Sequence, residues 1–411
     1  MKVNGIIAEF NPFHNGHKYL LEEALRQTGA DMTIVAMSGN FVQRGAPALL
    51  DKHARTEMAL KCGADLVLEI PTVYAVSSAD GFATGGVSLL HRLGVVTHLC
   101  FGSECGEVDI LKNIARILLS EPEEFADALR SNLRQGFSYP IARTQALLQY
   151  DPSLSSSRNV LSSPNNILGI EYLKAIERLS SSLTPVTIRR MGDGYHDRLP
   201  GEARCSALTI RHALYAGCDS SFLHAHMPAD AADLLTEHLS HTPVKRRNDV
   251  SSSLYYKLVS EKDSGFDKYL DVSPDLSARI CNKLNEFQSF DSFCDLLKTK
   301  ELTYTRISRC LLHILLNITK EDVSLYRSMD YVPYARVLGF RRKSSQLLGD
   351  IKERSAIPLV TKLADAEKIL TLDAYSMLKQ DLMASQLYYG LDACCSDKPP
   401  INEYTIPLVI I

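Results

Sequence analysis

No apolar run in the chain approaches the roughly 20 residues needed to cross a bilayer, which argues against a helical membrane protein. No signal-peptide pattern opens it, since Lys2 is followed by only a few apolar residues before Asn11-Pro12. Ten cysteines are present, yet no Cys-x-x-Cys occurs; Cys100 and Cys105 are separated by four residues, and Cys394 and Cys395 are adjacent. In that setting they read as reduced, mostly buried thiols of a cytoplasmic protein, and not as zinc ligands or disulfides. No Walker pattern and no Gly-x-Gly-x-x-Gly opens a helix, so two common phosphate cradles are absent. No metal-ligand set stands out. His224, His226, His238 and His241 are close in sequence, but two-residue spacing does not put the first pair on one helix face. Neither sign of charge dominates, the formal net charge being −3, so a nucleic-acid partner would need positive charge gathered locally. No internal repeat or low-complexity tract is evident.

What is present is ordinary globular composition, 45% apolar and 23% charged, over 411 residues. That length exceeds one ordinary core, so two or more domains are expected. The pattern changes near residue 220. Before it, short apolar runs at 3–8, 33–37, 66–70, 98–101 and 186–190 alternate with helical patterns near 51–62, 78–93, 107–150, 166–178 and 208–215. Such alternation predicts an α/β fold, a doubly wound parallel sheet wrapped by helices. Residues 153–163 are Ser-rich and read as a loop. From 221 to 411 the chain reads as mainly helical, with candidates at 230–239, 252–259, 277–287, 292–299 and 307–318. Residues 335–375 mix short apolar runs and can return to strands.

The most informative stretch is Gly5-Ile-Ile-Ala-Glu-Phe-Asn-Pro-Phe-His-Asn-Gly-His17. An apolar strand, Val3 to Ala8, ends at the turn signal Asn11-Pro12. A helical spacing then begins at Gly16 and carries Tyr19, Leu20, Leu21, Ala24 and Leu25. His14 and His17 therefore sit where a strand hands over to a helix. Unpaired backbone N–H groups and the positive end of the helix dipole gather there, which suits an anion such as a triphosphate. Imidazoles so placed can donate hydrogen bonds to phosphoryl oxygens as charge builds up. Ligands of open α/β sheets bind at the carboxyl ends of strands, and Gly102, after the strand ending at Phe101, shares that edge. A second block, Arg204-Cys-Ser-Ala-Leu-Thr-Ile-Arg211, lets Ser206 cap a helix with Thr209 and Arg211 in its first turns; it reads as a phosphate clamp or as an ordinary capped helix.

The Asn-Pro-Phe-His-x-Gly-His pattern resembles the signature of the HIGH-type nucleotidyltransferases. The longer blocks Ala8–His17, Met37-Ser-Gly-Asn-Phe-Val-Gln-Arg-Gly45, Pro164-Asn-Asn-Ile-Leu-Gly169, Tyr304-Thr-Arg-Ile-Ser-Arg309 and Tyr334-Ala-Arg-Val-Leu-Gly-Phe340 are similar, in order and across nearly the whole chain, to the bacterial tRNA(Met) cytidine acetate ligase family. The resemblance implies a nucleotidyltransferase domain over 1–220 and a tRNA-binding region over 221–411. It implies activation of acetate by ATP to acetyl-adenylate, then acetyl transfer to N4 of the wobble cytidine of elongator tRNA(Met). Magnesium needs few protein ligands because it travels with the phosphates, so Mg²⁺–ATP is a chemical expectation.

Carried onto this sequence, the resemblance places ATP contacts on Ile7, Ala8, Glu9, Phe10, Asn11, Pro12, Phe13, His14, Asn15, Gly16, His17, Lys18, Tyr19 and Leu20. It adds Gly102, one of Asn165 and Asn166, one of Arg189 and Arg190, and Ser206, Thr209 and Arg211. His14 and His17 are the catalytic pair. The loop bearing Ser38, Gln43 and Arg44 is a candidate to hold acetate. Lys52, His53 and Arg55 read as a solvated face that could also steer tRNA or pyrophosphate. Gly192-Asp-Gly-Tyr-His-Asp197 reads as a flap or a plain loop.

For nucleic acid, residues 301–354 hold ten Lys/Arg against six Asp/Glu. Arg306, Arg309, Arg336, Arg341 and Arg342 are interleaved with Tyr304, Tyr331, Tyr334 and Phe340, and Lys245 and Arg246 add a second patch. Basic groups would pair with phosphates while aromatics stack on splayed bases, unless these are core aromatics beside a solvated face. Two other readings stay open: an adenylyltransferase acting on a small phosphorylated metabolite, and a non-catalytic RNA-binding protein. Oligomeric state is not legible in the sequence.

Overall fold

The computed structural model describes residues 1–190, 205–393 and 399–411. The expected flap at 192–197, Arg204 and the Cys394-Cys395 pair lie outside these residues.

The alternating first half folds as a wound sheet. In chain order it gives β1 (Val3–Ala8), α1 (Asn15–Thr28), β2 (Met32–Ser38), α2 (Lys52–Lys61), β3 (Leu66–Ile70), α3 (Ala79–Arg92), β4 (His98–Ser103), α4 (Pro164–Arg178), β5 (Thr184–Arg189) and α5 (Ala207–Tyr215). Side chains alternate faces along a strand. Ile6, Val35, Val67 and Cys100 enter one apolar core, whereas Ile7, Ile34, Ala36, Leu66, Leu68, Leu99 and Phe101 enter the other. Both faces are thus covered, as a parallel sheet with helical crossovers requires. The Ser-rich stretch is not a plain loop: Pro152–Ser162 forms 3₁₀ turns, started by Asp151, whose Oδ1 accepts the Ser153 N–H at 3.1 Å.

The second half is mainly helical, including Ala229–His241, Ser251–Glu261, Phe290–Leu297 and Tyr304–Leu315. The sheet, however, does not stop near residue 220. Three late strands join it: β6 (Ala335–Phe340), β7 (Leu359–Val360) and β8 (Val409–Ile410). The order is β8-β6-β3-β2-β1-β4-β5, with β7 also beside β6. All pairings are parallel except β3 with β6, which is antiparallel. The sheet is therefore mixed. Its winding reverses between β1 and β4, the place where such sheets leave a crevice at their carboxyl edge.

An ionic cluster seals the join between the halves. Lys52 Nζ reaches Glu69 at 2.7 Å and Ser385 at 3.0 Å, and also pairs with Glu403. Arg336 bridges Glu69 and Glu403 at 2.8 Å each. Asp381 accepts from the Thr72 N–H at 2.6 Å and the Tyr334 hydroxyl at 2.5 Å, and burial pushes its carboxyl up to about 7. All of these groups are buried. Lys52 and Arg55 are accordingly not a solvated face. Each is fully buried, and His53 is half-buried beside Glu403. Arg336 is likewise not an RNA contact, because two carboxylates consume it in the interior.

Removing one partner of a buried pair leaves the others uncompensated, which costs about 3–5 kcal/mol. Arg336→Ala should lower the unfolding free energy in urea by that amount, while exposed Arg342→Ala should shift it by about 0.5 kcal/mol or less. Equal, small shifts would show that the cluster does not hold the halves together.

Candidate active site

The turn after β1 is built around two imidazoles. Phe10 adopts a left-handed φ of 47°, and the Asn11-Pro12 bond is cis. For a residue other than glycine that φ costs on the order of 1–2 kcal/mol. The Phe10 ring packs edge-on against Phe13 and His17, each at 4.8 Å between centroids. His14 is the N-cap of α1: its Nδ1 accepts the Gly16 N–H at 3.0 Å, and His17 Nδ1 accepts the His14 N–H at 3.2 Å. This is a capping box made with rings in place of hydroxyl and carboxylate. Gly16 is required, because a Cβ there would lie 2.8 Å from Cε1 of the His14 ring.

The box also sets the protonation. A ring that accepts at Nδ1 carries its proton at Nε2 when neutral. Burial, reinforced by Arg190 and Arg211, pushes His14 down to about 3. Burial first, then His14 and Arg190, pushes His17 well below its ordinary value. Near neutral pH both rings are uncharged Nε2–H donors.

A cavity of roughly 390 Å³ opens at the winding reversal. Ile7, Ala8, Glu9, Phe10, Asn11, His17 and Leu20 wall it on the β1–α1 side, Gly102 and Asn165 on the other, with Arg190 and Arg211 between. His14 is not in the wall; it stacks on His17 with centroids 3.8 Å apart and is 4% exposed. Pro12 and Phe13 are buried behind the wall, while Lys18 points to solvent, where it pairs with Glu22 at 3.8 Å. Asn15 and Tyr19 are half-buried on α1, outside the wall.

The structure separates the paired candidates. Asn165 lines the cavity, with its Nδ2 donating to Glu104 Oε1 at 2.7 Å. Asn166 is buried and its Oδ1 accepts the N–H groups of Glu104 and Cys105 at 2.9 and 3.1 Å, so it fixes the loop after β4. Arg190 lines the cavity and Arg189 is exposed outside it, as alternation on a strand demands. Gly102 admits Arg190: a Cβ would sit 3.2 Å from its Cγ. Ser206 caps α5 through the Thr209 N–H at 3.2 Å, and the two hydroxyls lie 3.0 Å apart. Neither reaches the wall, which α5 meets through Ala207 and Arg211. Arg211 donates to the Asn11 carbonyl at 2.5 Å.

The loop expected to hold acetate, and further residues that were not singled out, complete the wall. Gln43 and Arg44 line it, while Ser38 is fully buried on β2. Phe101, Leu168 and Tyr172 give one apolar side. Asn165, Leu168 and Tyr172 stand at i, i+3 and i+7 on α4, a spacing that could have revealed them once Asn165 was singled out. An apolar side opposite a cluster of arginines and an imidazole donor suits a purine carrying phosphates. Among the described residues no group of three or more His, Cys, Asp or Glu is placed to hold a metal ion.

A model of the HIGH nucleotidyl transferase family matches residues 1–399. A tRNA(Met) cytidine acetate ligase of Acetivibrio thermocellus is 41% identical over the whole of both chains, and one of Halothermothrix orenii is 39% identical over 100% of this chain and 99% of its own. The chain belongs to the tRNA(Met) cytidine acetate ligase family of HIGH nucleotidyltransferases. The crystal structure of Thermotoga maritima TmcAL bound with alpha-thio ATP is 31% identical, with a TM-score of 0.89 over 100% of this chain and 99% of that one. The apo form is 30% identical at a TM-score of 0.91, covering all of both chains.

In this family member the basic residues divide into three groups. Arg246 and Arg306 are exposed and Arg309 is half-buried; Arg246 lies over the Tyr215 ring at 4.9 Å. The helix Tyr304–Leu315 packs on the loop that walls the cavity, with Ser308 Oγ donating to the Gly45 carbonyl at 2.7 Å. The helix carrying Arg306 and Arg309 thus adjoins the cavity loop, and Arg246 packs against the last residue of α5. Lys245 is buried, paired with Asp392 and set 5.7 Å over the Tyr388 ring. Arg341 and Arg342 lie on the opposite rim, because antiparallel β6 brings Phe340 beside Leu66 at the start of β3. Arg341 instead donates to the Leu60 carbonyl at 2.8 Å, closing the end of α2.

The depressed imidazoles fix a pH dependence. From an ordinary value of 6.5 down to about 3, the unfolded chain binds a proton that folded His14 refuses. Stability is therefore whole above 6.5 and falls with falling pH, by up to about 1.4 kcal/mol per pH unit for each ring. His14→Asn keeps a capping acceptor but removes one titrating ring. Its urea-unfolding free energy should fall less steeply between about pH 6 and 4; an unchanged slope would mean that His14 is not held neutral.

Proposed function

We propose that the chain is a tRNA(Met) cytidine acetate ligase working in the cytoplasm. It would use ATP to activate acetate as acetyl-adenylate and pass the acetyl group to N4 of the wobble cytidine of elongator tRNA(Met). One observation carries the reading: a cavity walled by His17, Arg190 and Arg211 shares its Gln43–Gly45 loop with the helix bearing Arg306 and Arg309. A nucleotide site and a basic face therefore meet at one mouth.

In the first step an acetate oxygen attacks the α-phosphorus of ATP in line, and pyrophosphate leaves. The protein positions and neutralises, since phosphoryl-type transfer asks little covalent chemistry of side chains. The neutral Nε2–H of His17 donates to a phosphoryl oxygen as charge develops, and Arg190 and Arg211 hold the phosphates. Magnesium would arrive on the phosphates and neutralise them further. Every described residue of the cavity wall falls between Ile7 and Arg211, which supports a division of labour. Residues 1–220 make the adenylate, and 221–411 mainly receive the RNA.

The test is incubation with ATP and labelled acetate, with and without tRNA. Acetyl-adenylate should form, and label should reach elongator tRNA(Met). His17→Ala should reduce acetate-dependent pyrophosphate exchange by about 100-fold or more. Turnover only with a phosphorylated metabolite would favour an adenylyltransferase, and no turnover a non-catalytic RNA-binding protein.

A further inference from the structure

The second half-reaction needs a proton acceptor. When N4 of cytidine attacks the acetyl carbonyl, a C–N bond forms, the acyl C–O bond to phosphate breaks and AMP leaves as an anion. The nitrogen must also shed a proton. A protein base for that proton has to lie in the cavity wall, at the carboxyl edge of β1, within reach of the reacting carbon.

The wall offers few candidates. Histidine is the usual one, but His17 already accepts a backbone N–H at Nδ1 and carries its proton at Nε2, so it has no lone pair to offer. The Tyr172 phenol is held protonated, pushed far up by burial. Glu104, next to the wall on the loop after β4 but not part of it, spends both oxygens on the N–H groups opening α4: Oε1 on Asn165 and Oε2 on Asn166. Arginines and amides are not bases near neutral pH.

Glu9 remains, the one carboxylate among the described residues of the wall. It comes directly after β1, two residues before the Asn11 carbonyl held by Arg211. Its backbone is pinned, since Arg55 Nη1 donates to the Glu9 carbonyl at 2.6 Å. Its Oε1 accepts the Gln43 N–H at 2.7 Å, and among the described residues its side chain makes no other hydrogen bond. Half of the carboxylate is therefore anchored, and half is open to the cavity. A negative side chain in a wall of three arginines does not serve to bind a triphosphate, which it repels. Its presence there is better explained by a step that releases a proton for it to accept.

We propose that Glu9 is the general base of acetyl transfer, taking the N4 proton of cytidine through its other carboxylate oxygen as the C–N bond forms. The proposal rests on the acetate-ligase reading and adds a role to it. It also assigns the Gln43–Gly45 loop a second task, since the same loop that orients Glu9 packs on the Arg306–Arg309 helix. RNA docking and alignment of the base would then be linked.

The experiment separates the two half-reactions. Acetate-dependent pyrophosphate exchange reports adenylate formation, and a single turnover from preformed acetyl-adenylate to tRNA reports transfer. Glu9→Gln keeps an oxygen to accept the Gln43 N–H but removes the base. Transfer should fall by about 100-fold or more, and exchange by less than a tenth of that. Glu9→Ala should lose transfer similarly and regain part of it with added azide, which a merely structural loss would not do. Equal losses in both half-reactions without azide rescue would overturn the assignment, as would unchanged transfer in Glu9→Gln. Absence of exchange in the unaltered protein would instead sink the acetate-ligase reading itself.

Discussion

One buried guanidinium holds the working edge of the sheet together. Arg55, on α2 and fully buried, donates to the carbonyls of Leu50 at 3.0 Å, Glu9 at 2.6 Å and Ser38 at 3.1 Å, and also to Gly39. These carbonyls belong to the segments that leave β1 and β2 and to the turn before α2. Irregular backbone at a buried strand end has no ladder partners, so each carbonyl there needs a donor from elsewhere. A planar group with five donors meets several at once, which an ammonium could not do in fixed directions. Asn11 continues the pattern: its Oδ1 accepts the Leu49 N–H at 2.7 Å and its carbonyl accepts from Arg211. Glu9, Phe10 and the imidazole pair are placed by this satisfied backbone.

The imidazole pair is then a structural device first. His14 caps the helix and supports His17, and His17 meets the cavity. The same two backbone bonds that complete the helix start choose the tautomer of both rings. A helix cap and a phosphate donor are thus one feature, which explains why glycine stands between the rings. The strained φ of Phe10 is carried by the contacts of its ring with Phe13 and His17, at the place where strain serves to aim the chain into the site.

Away from the cavity, the ionic cluster of Lys52, Glu69, Arg336 and Glu403 does for the two halves what Arg55 does for the turn. It draws residues from α2, β3, β6 and the final segment into one buried point. The helical half is consequently part of the sheet's own architecture. A basic face on the Tyr304–Leu315 helix keeps a fixed relation to the cavity because the sheet passes through both halves.

Residue order alone was enough to set the elements and the chemistry of the turn. Strand runs around 33–37 and 66–70 appear as β2 and β3, and the helix periods near 51–62 and 78–93 as α2 and α3, because period and burial are local properties of the chain. That His17, Gly102 and Arg211 share one edge was legible because the residues just past a strand or opening a helix are fixed by their order in the chain, whereas only the fold put His14 behind the wall. The direction of β6 and the fate of the charges emerged only on folding. Arg336 and Lys52 look like surface residues in a sequence, since a buried charge depends on partners far away in the chain. Arg306 and Arg342 look equivalent there too. An antiparallel pairing, which no local pattern encodes, puts Arg342 on the far rim, while Arg306 stands on the helix that packs on the cavity loop.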